Sequence, residues 1–597
     1  MLMTFTVHAG PMFRRVPYTP LLALLGLSIT VAYFLYNLSI LNRFLDHDIA
    51  NYYVNVEKRY LFNPHHLLFT TLSKLIYETA KSHWGYDQPS MFLLQLLNLG
   101  TASVALGCLF FALARIGGRV WLALTFTGLV AFSHGYWFYA HVNDTPAIPT
   151  SLAILTFFSA VFLIRGYNPR RPYVDWLKAV GLGLLHAFAV GYHQKNVLLW
   201  VAVALLILVP VRWPGSRETG RASEFFAAFV RRPSRRPERG LRRRVLFLGI
   251  YTVTVTLLTA SLYFWAGAVH HGYPLDDRKQ ALPGVPGGGN FFAWLFLYSH
   301  YSNNSWGNAE QSHKTVLALR GSTNAFFKNR GVFWRRIQNK VDFDEDRSPD
   351  IQIAATLGAL LLLFLVSLPL LFARLRILPV AALCWFGLYG ALAAWWEPLH
   401  FEHWVNASVG FWIAMYCLAL GWLDFVESLP IVREGAYLAV VLTGATFAGL
   451  LWLTNYERVM LPQSRRITFG HWEDFYLKSQ FTGLLDDFYR ERVYAEGENP
   501  DRAWEKRMSR MHQLRAAMFT NDSDAHFDQN RWRFEKTVLA LEDMFPDRPE
   551  VARFRNELNV MQSGRPAWLG YHGRGPDGEP LEEKASESTD EADEGKE

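Results

Sequence analysis

Residues 179–211 read AVGLGLLHAFAVGYHQKNVLLWVAVALLILVPV, and Lys195 is the one formal charge among them. A charged side chain at mid-bilayer costs about 2.5–3.5 kcal/mol on insertion scales. A membrane-crossing helix is therefore a run of roughly 17–25 residues without one. Two apolar runs, 179–192 and 196–211, meet here at His193, Gln194 and Lys195. Each is short for a bilayer, so the pair is either a tight helical hairpin or one broken helix. Both readings put the stretch in a membrane and leave Lys195 at a helix boundary.

Applied outward, the same criterion finds about eleven apolar segments: 17–41, 89–114, 120–140, 145–164, 179–192, 196–211, 245–269, 351–373, 377–396, 404–423 and 435–454. The fold class expected is an all-α polytopic membrane protein. Composition agrees, with 51% of the 597 residues hydrophobic and only 19% charged, below the roughly 25% of a soluble domain. A mean hydropathy of +0.06 requires polar mass between the segments. Cys108, Cys384 and Cys417 all lie inside apolar runs, which excludes a disulfide framework and a cysteine-based zinc site. The first segment follows Arg14 and Arg15 as a signal peptide would, but it is long and has no small-x-small cleavage site before Asn42, so it reads as retained. No internal repeat is found.

Orientation follows from arginine and lysine in the short loops, which accumulate on the cytoplasmic side. With the N-terminus inside, the inner loops hold Arg115 and Arg119, then Arg165, Arg170, Arg171 and Lys178, then Arg374 and Arg376. The arginine-rich connection 212–244 belongs on the same side as a loop facing anionic membrane lipid rather than nucleic acid. Carboxylates and imidazoles collect on the other face. An odd span count puts the C-terminus outside too. The organisation expected is a transmembrane domain over 1–455, an extracytoplasmic helical domain over 456–572 and a disordered acidic tail over 573–597.

The chemistry-bearing residues sit in the outer loops. The first, 42–88, contains Asp46-His47-Asp48 and Asn63-Pro64-His65-His66, then an amphipathic run in which Leu68, Leu72, Leu75, Ile76 and Thr79 share a face, as an interfacial helix requires. Asp46 and Asp48 suit a general base or a divalent cation; Asp48 also suits a helix N-cap. Asp144-Thr145-Pro146 is either a helix start or a site carboxylate. His193 and Lys195 suit a lipid phosphate, although a lysine at a membrane boundary also snorkels. The stretch Trp395-Trp396-Glu397-Pro398-Leu399-His400-Phe401-Glu402-His403-Trp404 is either an aromatic belt with a polar loop or a set of ligands for a metal or a sugar hydroxyl. The long loop 270–350 has a glycine cluster at 284–289 and an aromatic run at 291–298, read as a hinge with an apolar tip.

In order and placement these stretches resemble the GT-C superfamily of integral-membrane glycosyltransferases, in particular bacterial members akin to the protein O-mannosyltransferase and aminoarabinose transferase families. Asp46 and Asp48 match the acidic pair of the first outer loop, with His47 inserted between them. Asn63-Pro64-His65-His66 stands where many relatives have a His-Pro-Pro-like motif. Asp144 matches the acidic residue before the fourth span, and Trp396-Glu397-Pro398 the outer Trp-Glu-Pro. The resemblance covers about 1–455. It implies transfer of a sugar from a polyprenyl-phosphate donor to a lipid, glycan or protein acceptor at the outer face of the inner membrane. Asp46 and Asp48 would be catalytic, and Asp144, His193, Lys195, His65, His66, Glu397 and His403 would bind the donor. Asp48, Glu397 and His403 would hold magnesium or manganese if a metal is used. Two other readings stand beside it: a lipid-linked-glycan flippase, for which His186 is the main mid-membrane ionisable group, and an inactive GT-C-like scaffold for envelope assembly.

Overall fold

The computed structural model describes residues 18–41, 62–86, 90–142, 144–164, 172–209, 238–275, 280–282, 285–295, 314–327, 377–396, 401–427 and 433–456, with isolated positions elsewhere. Asp46, Asp48 and Glu397, the arginine-rich residues 212–237, and the proposed C-terminal domain and tail therefore lie outside the described residues.

The described chain is helical. Its elements are α1 (Tyr18–Leu38), α2 (Leu67–Trp84), α3 (Ser90–Gly117), α4 (Val120–Phe132), α5 (His134–His141), α6 (Ala147–Leu163), α7 (Pro172–Tyr192), α8 (Leu199–Leu208) and α9 (Glu238–Phe264). After these come a short antiparallel hairpin, β1 (Gln280–Leu282) with β2 (Val285–Gly289), and then α10 (Phe291–Leu295), α11 (Lys314–Phe326), α12 (Ile377–Trp396), α13 (Val405–Glu427) and α14 (Arg433–Asn455). Seven of the described helices are long and apolar enough to cross a membrane, and three shorter apolar ones, 120–132, 147–163 and 194–208, stand among them. Together they account for every apolar segment read from the sequence except 351–373, of which only isolated positions are described.

The bundle is continuous: α1 packs on α3, α3 on α6, α6 on α7, and α7 on α9, while α8 lies against α12, α12 against α13, and α14 against α4. Close approach needs small residues where lipid supplies no hydrophobic drive between helices. A Cβ on Gly107 of α3 would lie 2.5 Å from the Gly26 carbonyl oxygen of α1, so glycine there sets the spacing of the first pair. The outer helices keep an apolar face toward lipid, as Leu24, Leu27 and Leu35 of α1, Leu257 of α9 and Leu442 of α14 show by their exposure. Trp137, Trp385, Trp412 and Tyr416 fill the centre.

The boundary at 193–195 is a hairpin. Residues 186 and 196 of a straight helix would stand about 15 Å apart, yet His186 Nε2 lies 2.8 Å from the Asn196 carbonyl oxygen. The chain leaves α7, makes a 3-10 turn over Gln194–Leu198 and returns as α8. Two expectations for the 270–350 loop change. Gly287, Gly288 and Gly289 lie in β2 rather than in an open hinge. Phe291 and Trp294 are buried against Phe62, Leu67, Val190, Tyr263 and Tyr273, so this part of the aromatic run docks on the end of α9 instead of forming an exposed tip. The amphipathic run of the first loop is α2 as expected, with Leu75 and Trp84 exposed and Leu67, Phe69 and Tyr77 buried; it ends at Gly85 in the left-handed conformation, φ 63°.

Candidate functional site

One end of the bundle gathers six of the sequence-read residues: His65, His66, Asp144, His193, Lys195 and His403. Local sequence explains each placement. Asn63-Pro64-His65-His66 is a tight turn in which the His66 N–H donates to the Asn63 carbonyl at 3.1 Å, and Asn63 Oδ1 accepts from the His65 N–H at 2.9 Å. Proline at the second position and asparagine at the first are the residues such a turn favours. The Gln194 N–H then donates to the His65 carbonyl at 3.2 Å, which ties the turn to the α7–α8 hairpin. The His66 and His193 rings meet edge to face, with centroids 4.5 Å apart. His65 packs against Trp396 at 6.4 Å, and Trp396 against His403 at 6.2 Å. His403 Nδ1 lies 3.3 Å from Glu402 Oε1.

Asp144 is held by its backbone. Asn98 Nδ2 of α3 donates to the carbonyls of Val142 at 2.6 Å and Asp144 at 3.0 Å, and Gln95 Nε2 donates to that of His141 at 2.9 Å. Asp144 Oδ1 accepts from the Thr145 N–H at 2.5 Å, while the N-cap of α6 is Pro146. A capping carboxylate bonds the second or third N–H of the helix, so Asp144 is not the cap of α6.

Asn196 fixes the hairpin tip. Its Nδ2 donates to the carbonyls of Ala189 at 2.9 Å and Pro149 at 3.1 Å, and its Oδ1 accepts from Tyr389 Oη at 2.8 Å. One side chain thus joins α6, α7 and α12 beside Lys195. His186 completes this support: Nε2–H donates to the Asn196 carbonyl, which leaves Nδ1 to accept from Tyr251 Oη. With both ring nitrogens engaged, His186 is a neutral structural residue.

Lys195 itself is 6% exposed, and among the described residues its Nζ has no hydrogen-bond partner. A snorkelling lysine places its ammonium in water; this one does not. Burial pushes its pKa down to about 8, against the opposing pull of Glu402 and Asp144. Burial also drives His193 well below the ordinary histidine value, followed by the charge of Lys195 and the rings of His66, His403 and His65. His65 is lowered by burial and by His66, with a hydrogen bond to the Gln194 side chain opposing. His193 Nδ1 accepts from the Lys195 N–H at 3.2 Å, so its ring proton sits on Nε2. Chemically the cluster is one buried ammonium among imidazoles, with two carboxylates within electrostatic reach. It attracts a single anionic group.

The metal set Asp48, Glu397 and His403 is represented among the described residues only by His403, and no group of three His, Cys, Asp or Glu there is placed to hold a metal ion. Asp46 and Asp48 lie outside the described residues; Leu41, the last described residue of the first segment, is buried.

No family model matches this chain, and no curated protein sequence does. Among solved structures it is similar to the apo oligosaccharyltransferase of Archaeoglobus fulgidus, with 12% identity and a TM-score of 0.38 over 75% of this chain and 56% of that one. It is also similar to ArnT from Cupriavidus metallidurans bound to undecaprenyl phosphate, with 14% identity and a TM-score of 0.26 over 75% of this chain and 78% of that one. The chain thus spans little more than half the length of the archaeal enzyme. Both likenesses are low, and the functional reading rests on the residues around Lys195.

Sequence reasoning passed over three residues that matter here. In the sequence Glu402 is only one of the shared ligand set of its loop, Asn196 is the first residue of an apolar run, and Gln194 is a connector. The available signal was polarity at a boundary: Gln194, Lys195 and Asn196 are three consecutive polar residues between two membrane segments.

Proposed function

We propose that this protein transfers a sugar from a polyprenyl-phosphate donor to an acceptor at the outer face of the cytoplasmic membrane. The observation that carries the reading is the buried Lys195 ammonium without a partner among the described residues. Burying an unpaired charge is costly, and an anionic ligand removes that cost. A lipid phosphate arriving at a helix boundary has the right charge and depth. Lys195 faces its oxygens, with the His193 ring beside it. As the acceptor oxygen bonds to the anomeric carbon, the bond from that carbon to phosphate oxygen breaks and its electron pair leaves with the phosphate. Lys195 stabilises this growing charge. The acceptor proton goes to a carboxylate. Asp46 is the first choice, because it follows the buried Leu41 by five residues, a reach of at most about 17 Å; Asp48 assists it. His65 and His66 line the donor side, with Asp144 and Glu402 balancing the lysine before the donor arrives. The acceptor is a lipid, glycan or protein.

His186 would be the natural member of a proton or ion path in a flippase, and both its nitrogens are committed to structural bonds. Mass spectrometry of lipid-linked sugars from cells with and without the gene tests the reading: a polyprenyl-phosphate sugar should accumulate on deletion. Asp46→Asn should fail to clear it, since losing a general base costs about 10²–10⁴-fold in rate. No accumulated donor in the deletion strain would overturn the transferase.

A further inference from the structure

Asn406 is fully buried, and among the described residues neither its Nδ2 nor its Oδ1 has a hydrogen-bond partner. A buried amide with both ends unmet is uncommon, because each unmet group carries its full desolvation cost. Its position is informative. The 3-10 turn Phe401–Trp404, which contains Glu402, runs directly into α13, so Asn406 lies in the first turn of that helix, four residues after Glu402. It also lies four residues before Gly410, hence on the same helical face. Gly410 faces α12: a Cβ there would lie 2.8 Å from the Phe386 N and 3.0 Å from the Ala382 carbonyl oxygen. Trp404 closes over Gly390 of the same helix. Asn406 is thereby placed in the α12–α13 seam, near the level of Tyr389, whose hydroxyl bonds Asn196 beside Lys195. A buried hydroxyl without a partner among the described residues, Thr150 Oγ1, follows Pro149, whose carbonyl also bonds Asn196.

We propose that Asn406 is a sugar-binding residue: its amide, with a donor and an acceptor held in the α12–α13 seam near the level of Tyr389, hydrogen-bonds a hydroxyl of the transferred sugar. An amide matches a hydroxyl, which both gives and takes a hydrogen bond, better than it matches a phosphate, which at this site takes only. The division of labour is then spatial, with Lys195 holding the phosphate and Asn406 selecting what hangs from it. The inference rests on the transferase reading above.

The test uses the full-length protein in lipid nanodiscs and three probes, polyprenyl phosphate and its mannose- and glucose-bearing diesters. The wild type is expected to bind at least one glycosylated lipid more tightly than the bare one, and Asn406→Leu to erase that preference by about tenfold or more while binding the bare lipid unchanged. Leucine has nearly the shape of asparagine without its polar atoms, so the melting temperature of Asn406→Leu should equal or exceed that of the wild type. Asn406→Ala, which leaves more space, is the second variant and should lose the preference in the same way. A preference that survives in both variants, no preference in the wild type, or a marked fall in melting temperature for Asn406→Leu each overturns the inference. A wild type that binds neither bare nor glycosylated lipid overturns the transferase reading instead.

Discussion

At the start of α7 the carboxylate of Asp175 accepts from Arg243 Nε at 2.7 Å, with Nη2 2.6 Å away and Lys178 Nζ at 4.0 Å. About 27 Å further along the same helix the chain turns at His193, and the next charge, Lys195, is buried without a hydrogen-bond partner among the described residues. Both ends place a charge at a membrane boundary. The first is closed by its own sequence: Asp175 lies in the first turn, where the helix dipole favours an anion, and α9 delivers an arginine to it. Among the described residues, nothing of comparable geometry closes the second. Asp144 and Glu402 act on Lys195 at a distance, enough to oppose the effect of burial but not to cancel it. Paired, a buried charge is part of the scaffold; left open, it is a place for a ligand.

The largest effect that would break this comparison belongs to Lys195→Met. Losing a charge-assisted contact to a buried phosphate is expected to weaken polyprenyl-phosphate binding by about 100-fold, and the protein should become no less stable. The sign follows from linkage. The folded pKa of about 8 lies below the ordinary lysine value of 10.5, so between them the unfolded chain holds more protons and wild-type stability rises with pH across that window. In Lys195→Met that rise should vanish. Thermal melts at several pH values, together with a lipid-binding isotherm, check both halves. A variant that melts earlier and binds as before would make Lys195 scaffold after all.

Arg243→Met should behave in the opposite way. It leaves Asp175, 5% exposed, without its arginine. Breaking a buried pair is costly, and the partial exposure of the arginine moderates the loss to about 1–3 kcal/mol. Lipid binding per folded molecule should stay unchanged. Reduced binding without reduced stability would mean that the two ends are coupled.

His186→Leu is a smaller test of the same idea. It removes the ring that bonds both Asn196 and Tyr251, so stability should fall by about 1–3 kcal/mol. Binding should weaken only as far as the hairpin tip loosens, severalfold rather than 100-fold. A change in the pH profile of lipid binding in this variant would show that His186 titrates, contrary to its two structural bonds.

These contrasts also mark what was legible in the sequence. The apolar segments were, because a charge in lipid is too costly to hide, and ten of them correspond to described helices. The gathering of His65, His66, Asp144, His193, Lys195 and His403 was legible as a list of loop residues at one end. That Lys195 is buried was not, since snorkelling and ligand binding look alike until the Asn63–His66 turn is seen closing over the hairpin through the His65 carbonyl. Nor was the burial of Phe291 and Trp294, which depends on Phe62 and Tyr263, far away in the chain. Whether Asp144 caps a helix or serves the site stays open in the sequence, because Asp-Thr-Pro is good capping sequence; the helix begins three residues later, at Ala147, with Asn98 holding the turn before it.

The smallest effect is expected from Glu402→Gln, and it tests how the open end is tuned. The free ammonium population governs affinity for a phosphodiester lipid, whose own charge does not change near neutral pH. Affinity for a polyprenyl-phosphate hexose should therefore hold below pH 8 and fall about tenfold per unit above it, until the pKa of the bound state is reached. Glu402 helps keep the ammonium protonated, so its amide variant should move that break toward lower pH. The same carboxylate also repels the incoming phosphate, so at pH 6.5, where Lys195 is charged in both proteins, the variant should bind slightly more tightly. The two affinity curves must then cross. Binding measured from pH 6.5 to 9.5 separates this from a structural effect, which would displace the whole curve in one direction. Curves with the same break would place Glu402 out of electrostatic reach of Lys195 and leave Asp144 as the carboxylate that tunes it.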